Sequence, residues 1–255
     1  MNSSFKPIIL RFDSLSSTNT EAARHALMGA QEGLCIIARE QTSGRGRQQR
    51  IWVSPKDTGL YLSLVLRPRI SMEKWPLITL IAALAVHDAL YEACSLTTDI
   101  KWPNDVHASG KKLCGILAET VETDTGRAVI LGIGVNLKEN AFPPELREIA
   151  TCVEAETKTR ADGESLLQSL LASLQKYYAA LQQMDGAERT IEEWKKRSSY
   201  AEGKPVRVNA GEEIFTGTTR GLATDGALRV ETDAGVIKTI HAGEVTSLRE
   251  EKSGV

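Results

Sequence analysis

Residues 111–136 read KKLCGILAETVETDTGRAVILGIGVN. Two apolar runs, 112–121 and 129–136, flank turn chemistry at Asp124-Thr125-Gly126, which predicts two buried strands joined by a tight connection. Both strands carry glycine in their interiors: Gly115 in the first, Gly132 and Gly134 in the second. Glycine weakens a strand unless a ligand or another backbone must approach closely there. Lys112 enters the first of these strands, where an ammonium is costly unless an anion accompanies it. The pair therefore reads as buried sheet with room for a ligand that carries negative charge. Lys111 reads as a solvated turn residue.

Working outward, the pattern predicts further strands over 5–12, 34–40, 60–66 and 99–102, and helices over 17–28, 77–94, 162–183 and 190–198. Thr18 and Glu21 have the spacing of a capping box at the start of the first helix, and Gly29 marks its end. The 162–183 helix gathers Leu166, Leu167, Leu170, Leu171, Leu174 and Tyr178 on one side. After Ser199 the texture changes to short alternating runs over 204–208, 214–219, 227–231, 236–240 and 245–248. Asp225-Gly226 and Ala234-Gly235 punctuate them as hairpin turns, and five such strands suggest a small β-barrel. The predicted class is α/β (α+β). A mixed sheet flanked by helices occupies residues 1–198, and a small barrel occupies residues 199–255.

The 255-residue chain has a net charge of -2, with 42% hydrophobic and 25% charged residues, as expected of a globular protein with an adequate core. No broad basic field exists to release counterions from nucleic acid. No helix-turn-helix pattern precedes the first strand. The C-terminal part carries only Tyr200 and Phe215 as aromatics, too few for a base-stacking platform. Nucleic acid is thus not an expected partner. Cys35, Cys94, Cys114 and Cys152 are far apart and have no zinc-ligand spacing with histidine, which fits reduced thiols in a cytoplasmic protein. The 77–94 helix contains Thr79, His87 and Asp88 and reads as too short and too polar to span a bilayer. No membrane association is expected.

Four further segments carry chemistry. Residues 44–55 read GRGRQQRIWVSP. Gly44 and Gly46 keep the loop pliable and let backbone approach a ligand. Arg45, Arg47 and Arg50 offer donor forks matched to carboxylate and phosphate. Ser17-Thr18-Asn19 sits at a helix start, where free N–H groups and small polar side chains either cap the helix or grip a polar ligand. In Lys101-Trp102-Pro103-Asn104-Asp105 the last two residues present oxygens suited to a metal ion or a ribose, or to a simple turn. Asn136 closes the second glycine strand.

In this order the segments resemble the catalytic domain of biotin protein ligases, whose signature is a GRGRxxRxW loop, KWPND, a GKKLxGIL strand and GIGxN. The resemblance covers roughly residues 10–140, and the small C-terminal β domain also fits that family's layout, an SH3-like β-barrel after a biotin/lipoate-ligase-type catalytic domain. It departs at Gln49, where the family loop commonly has glycine. The resemblance implies ATP-dependent activation of biotin as biotinyl-5'-adenylate, then transfer to a lysine of a biotin carboxyl carrier protein or domain. Biotin, ATP and Mg²⁺ are the implied small molecules. By the same resemblance, Lys112 is the catalytic cation, with Arg45 and Arg47 on a closing loop. Ser17, Thr18, Asn19, Gln41, Gly46 and Gly115 join these three around biotin. Arg47, Arg50, Trp52, Asn104, Lys112 and Asn136 face the nucleotide, and Asp105 is a candidate Mg²⁺ contact. Trp52 and Trp102 suit either the cleft wall or the core. The family's bifunctional members carry an N-terminal DNA-binding domain, and with the catalytic pattern starting almost at once no repressor role is expected. The alternatives are a lipoate or octanoate ligase of the same fold and a non-catalytic biotin or nucleotide sensor. A monomer and a homodimer are equally compatible with the sequence.

Overall fold

Eleven of the twelve strands among the described residues coincide with the apolar or alternating runs just read, and the computed structural model describes residues 5–139, 142–211 and 213–247. The chain runs β1 (Ile8–Leu15), α1 (Thr18–Leu27), β2 (Leu34–Gln41), β3 (Gly59–Leu66), α2 (Leu77–Cys94), β4 (Asp99–Lys101), β5 (Asp105–Ala108), β6 (Lys111–Thr123) and β7 (Gly126–Asn136). These are followed by α3 (Val153–Thr157), α4 (Gly163–Leu181) and α5 (Gly186–Arg197). Five short strands close the chain: β8 (Glu202–Ala210), β9 (Glu213–Leu222), β10 (Leu228–Thr232), β11 (Ile237–Ile240) and β12 (Glu244–Ser247). The predicted strand end at Leu248 lies outside the described residues.

The first seven strands form one sheet in the order β1-β2-β3-β7-β6-β5-β4, and β8–β12 form an antiparallel sheet in the order β11-β10-β9-β8-β12. Only the β1–β2 pair in the larger sheet is parallel, bridged by α1. Helix α1 lies on one face of that sheet, where Ala22 and Ala26 let it approach Ile36, Val65 and Ile130 closely. Helices α2 and α4 cover the other face. Ser95 in the left-handed region ends α2, with its N–H bonded to Tyr91 O. Asp162 caps α4 by accepting from the N–H groups of Glu164 and Ser165.

Four expectations need correction. The first strand starts at Ile8 rather than residue 5, because Phe5 is drawn into the core against Tyr178. The N-cap of α1 is Ser17, which accepts from Thr20 N–H, whereas the Glu21 carboxylate turns outward to Arg24. Asp105, open to a turn reading, instead begins a strand over Asp105–Ala108 that was not foreseen, and neither was α3. Helix α2 with the turn before it, Met72–Cys94, is long and apolar enough to cross a bilayer by length and composition. Its side chains are spent on the core instead, since Leu77, Ile78, Ile81, Leu84 and Leu90 are fully enclosed, and each contributes about 1.5–3 kcal/mol by burial.

The smaller sheet docks at the β4 end of the larger one. Trp102 Nε1 donates to Gly226 O at 3.0 Å, Ser198 Oγ to Ile100 O at 2.6 Å, and Ser199 N to Asp99 Oδ1 at 2.7 Å. Trp102 is therefore both buried core and cross-sheet tie.

Candidate active site

A row of paired residues across the larger sheet defines the floor. Lys101 pairs with Asp105, Asp105 with Gly115, and Gly115 with Gly134. Paired residues put their side chains on the same face, here the face that carries α1. The glycines leave that floor bare, and Gly132 extends it toward α1. A methyl group at Gly132 would lie 2.1 Å from Asn19 Oδ1, and one at Gly134 would lie 2.4 Å from Trp52 Nε1. Asn19 and Trp52 thus lie directly on glycine backbone. Above the floor is a cavity of about 280 Å³. Ser17, Thr18, Asn19, Gln41, Arg45, Gly46, Arg47, Arg50, Trp52, Asn104, Asp105, Lys112, Gly115 and Asn136, singled out from the sequence, all line it.

At one end, the start of α1 is knitted into a polar nest. Gln41 Oε1 accepts from Thr18 N at 2.8 Å and Thr18 Oγ1 at 3.1 Å, while Gln41 Nε2 donates to Ser54 Oγ at 2.9 Å. The Ser63 hydroxyl lies 2.7 Å from Thr18 Oγ1 and 2.6 Å from Asn19 Oδ1. Asn19 Nδ2 donates to Glu119 Oε2 at 2.7 Å. Arg45 Nη2 donates to the same oxygen at 2.8 Å, so Glu119 ties the arginine loop to α1. Sequence reading missed Ser63 and Glu119. Both sit at inward positions of apolar-looking strands, where nothing local marks them.

At the centre, Lys112 Nζ stands 2.6 Å from Asp105 Oδ1 and 5.5 Å from the Trp52 ring centroid. Lys112 is positioned by backbone from outside its own sheet: its N–H donates to Ile149 O and its carbonyl accepts from Thr151 N, both at 2.9 Å. Asn136 Nδ2 holds Thr151 O at 3.1 Å. Asn136 therefore anchors the segment behind Lys112. Lys111 is not merely solvated, since its ammonium donates to Arg147 O at 2.9 Å. Burial pushes the Asp105 carboxyl up, but the neighbouring His107 ring, 3.9 Å away, and the Lys112 ammonium at 2.6 Å outweigh it and hold it below the usual carboxylate range.

At the far end lies the arginine loop. Gly44 O accepts from Trp52 N and Gly46 N donates to Arg50 O, which closes residues 44–52 into a narrow excursion. Gln48 and Gln49 sit at φ 53° and 60°, so the position where glycine was expected does take the left-handed conformation that glycine favours. Arg47 Nη1 donates to Asn104 Oδ1 at 3.3 Å, and burial lowers its pKa from the ordinary arginine value. Asn104, expected to face a metal or ribose, has its amide committed to Ile116 O at 2.8 Å and to Arg47. Arg50 forks onto Glu244 of β12, with contacts of 3.2 and 2.5 Å. The smaller sheet thus supplies part of the cavity wall, which the sequence did not disclose.

The carboxylates on the wall are Asp105 and Glu244, and each is ion-paired to a cation. Among the described residues no three His, Cys, Asp or Glu side chains cluster to hold an ion. The residues do not make a resident metal site.

Residues 11–136 match the model of the Biotin/lipoate A/B protein ligase family, and residues 203–246 match that of the biotin protein ligase C-terminal domain. The chain is 37% identical to the bifunctional ligase/repressor BirA of Bacillus subtilis over 93% of its own length and 73% of that protein. It is 35% identical to the biotin--[acetyl-CoA-carboxylase] ligase of Paracoccus denitrificans over 90% and 96% of the two chains. A solved structure of biotin protein ligase from Aquifex aeolicus in complex with biotin and ATP superposes with a TM-score of 0.83 at 28% identity, covering 96% of this chain and 100% of that one.

Proposed function

The chain belongs to the biotin protein ligase family, and we propose that it activates biotin with ATP and passes it to a lysine of a biotin carboxyl carrier domain. The observation that carries this reading is one cavity that holds, in spatial order, an amide-rich nest, a bare glycine floor, the Lys112–Asp105 pair and the arginine loop. The nest at Thr18, Asn19 and Gln41 offers the mixed donors and acceptors a cyclic urea needs. The glycine floor admits a flat or extended ligand.

The first half-reaction brings two anions together. A carboxylate oxygen of biotin attacks the α-phosphorus of ATP, the bond to the bridging oxygen breaks, and pyrophosphate leaves. Repulsion between the reactants and the charge gathering on the nonbridging oxygens both require fixed cations. Lys112 has three N–H donors, one of which is held by Asp105, so its orientation is set before substrate arrives. Two charge-assisted hydrogen bonds at about 1.5–3 kcal/mol each amount to roughly 10²–10⁴ in rate. In the second half-reaction the acceptor's amine attacks the acyl carbon of the mixed anhydride and AMP leaves, while Arg45 and Arg47 on the loop keep water from that anhydride. Mg²⁺ enters on the phosphates of ATP and not as a resident ion, in keeping with its preference for substrate oxygens and water. All four cysteines are free thiols, which fits a reducing cytoplasmic setting.

The test is mass spectrometry of products after incubation with biotin, MgATP and a carrier domain. Formation of AMP, pyrophosphate and an acceptor bearing one biotin amide supports the reading. Equal use of lipoate, or no acylated product, refutes it.

A further inference from the structure

Glu119 stands behind the cavity, outside the residues that line it. It follows Gly115 and Leu117 at alternate positions of β6, so its side chain is on the α1 face of the sheet. Its Oε2 accepts from Asn19 Nδ2 of the nest at 2.7 Å and from Arg45 Nη2 of the arginine loop at 2.8 Å. Two donors from separate elements thus meet on one oxygen. The Arg45 contact is partly open to solvent, with side chains 45% and 33% exposed, and such a bridge adds little to stability by itself. Packing does not call for a charge here either, because Glu119 pairs across the sheet with Ile130, a core residue beneath α1.

The carboxylate imposes a direction on the nest. An ionised carboxylate only accepts, so Asn19 must turn its NH2 toward Glu119, where Leu117 O takes the second N–H at 3.3 Å. The amide oxygen then faces Ser63 at 2.6 Å, and that contact claims the single hydroxyl proton of Ser63. The Thr18 proton is in turn shared between Ser63 at 2.7 Å and Gln41 Oε1 at 3.1 Å. Donation therefore runs one way, from Thr18 through Ser63 and Asn19 to Glu119. The side-chain protons of Thr18 and Asn19 are all engaged. What stays unclaimed is lone pairs on their oxygens, acceptors suited to a ligand head that carries N–H groups.

Resting on the ligase reading above, we infer that Glu119 is a positioning residue that acts through two others: it fixes the donor and acceptor polarity of the Asn19 nest for the ureido group of biotin, and through Arg45 it couples that nest to the arginine loop. With glutamine in its place, the new amide can offer Asn19 either an N–H or a C=O, and the one-way order is lost. Arg45 loses its anion at the same time. An occupied nest and a docked loop favour one another because the same oxygen holds both.

The experiment is a double-mutant cycle on the full-length protein, read as the Kd for biotin by calorimetric titration. Glu119→Gln keeps the side-chain shape and is expected to raise that Kd about tenfold, the scale of one weakened hydrogen bond. The KM for ATP at saturating biotin is expected to stay within about twofold of wild type. Arg45→Met is expected to raise the biotin Kd about tenfold in the wild-type background and less than about threefold in the Glu119→Gln background. Asn19→Ala combined with Arg45→Met, which leaves Glu119 in place, supplies the same reading should Glu119→Gln not fold: the pair is expected to fall short of the product of the single effects by at least about threefold. The inference is overturned if Glu119→Gln leaves the biotin Kd unchanged, if the paired effects multiply in full, or if the ATP KM rises in step with the biotin Kd, as a general loss of structure would produce. Failure of the wild-type protein to bind biotin would instead overturn the ligase reading on which the inference rests.

Discussion

Replacing Gly132 by alanine tests the glycine floor directly. The added methyl would lie 2.1 Å from Asn19 Oδ1 and 2.9 Å from its Cγ, against a normal carbon–oxygen contact of about 3.3 Å, so the amide must retreat by about 1 Å. It has nowhere to go. Asn19 is 4% exposed, and its amide is fixed by Ser63 at 2.6 Å, Glu119 at 2.7 Å and Leu117 O at 3.3 Å. Retreat gives up one neutral hydrogen bond at about 1 kcal/mol and one to a carboxylate at about 1.5–3 kcal/mol, terms that overlap with an overpacking cost of about 1–3 kcal/mol. A total near 3 kcal/mol is a loss of stability and corresponds to a Tm lower by roughly 6–12 °C for a chain of this size, while displacement of the Asn19 amide from the cavity is expected to weaken biotin binding by about tenfold or more, the scale of one lost hydrogen bond. Calorimetric titration with biotin and a thermal melt measure both. Asn19→Ala, which adds no atoms, separates lost contacts from overpacking and is expected to weaken biotin binding with a smaller drop in Tm. Biotin affinity within about threefold of wild type in Gly132→Ala would refute the placement of Asn19 and Gly132 at the ligand.

Other expectations follow from the same geometry. Arg47→Gly removes the guanidinium held to Asn104 and is expected to speed adenylate loss, read as biotin on bystander proteins. Confinement of label to the proper acceptor would contradict that role. Gln49→Gly relieves a left-handed residue at φ 60°, and the relief of about 1–2 kcal/mol, less the added chain entropy of glycine at about 0.4–1 kcal/mol, gives a stabilisation of about 0–1.6 kcal/mol by denaturant titration. Glu244→Gln removes the fork onto Arg50, a partly exposed pair worth at most about 1 kcal/mol in stability. Arg50's hydrogen bond holds the Glu244 carboxyl below its ordinary value. Its stabilisation is therefore present above the unfolded carboxylate range and lost as pH falls through the folded value. The Tm gap between wild type and Glu244→Gln is accordingly expected to be widest near neutrality, to narrow as pH falls below the ordinary glutamate value of about 4.3, and to close only once pH has passed the lowered folded value.

The strands and helices that bury continuous apolar runs were legible in the sequence to within a few residues, as α2 and β7 illustrate. The residues that line the cavity were legible as well, because glycine, arginine and lysine out of place in buried strands and loops each need a physical reason. What was hidden came from long-range pairing. Asp105 looked like a turn residue because Pro103 precedes it, yet β6 recruits it into a strand and Lys112 claims its carboxylate. Ser63 reads as one polar residue inside LYLSLVL and becomes meaningful only when α1 is laid over it. Glu244 is separated from Arg50 by 194 positions, and no local pattern foretells that contact.

Exchange of labelled pyrophosphate into ATP without any acceptor isolates the adenylation step and is the most direct probe of whether Lys112 and its cavity perform it. Wild type is expected to exchange only when biotin is present, with lipoate ineffective, and Lys112→Met is expected to lose on the order of 10²–10⁴ of the rate while melting near the wild-type temperature. Exchange at the wild-type rate in a folded Lys112→Met protein, or exchange that needs no biotin, would contradict the account.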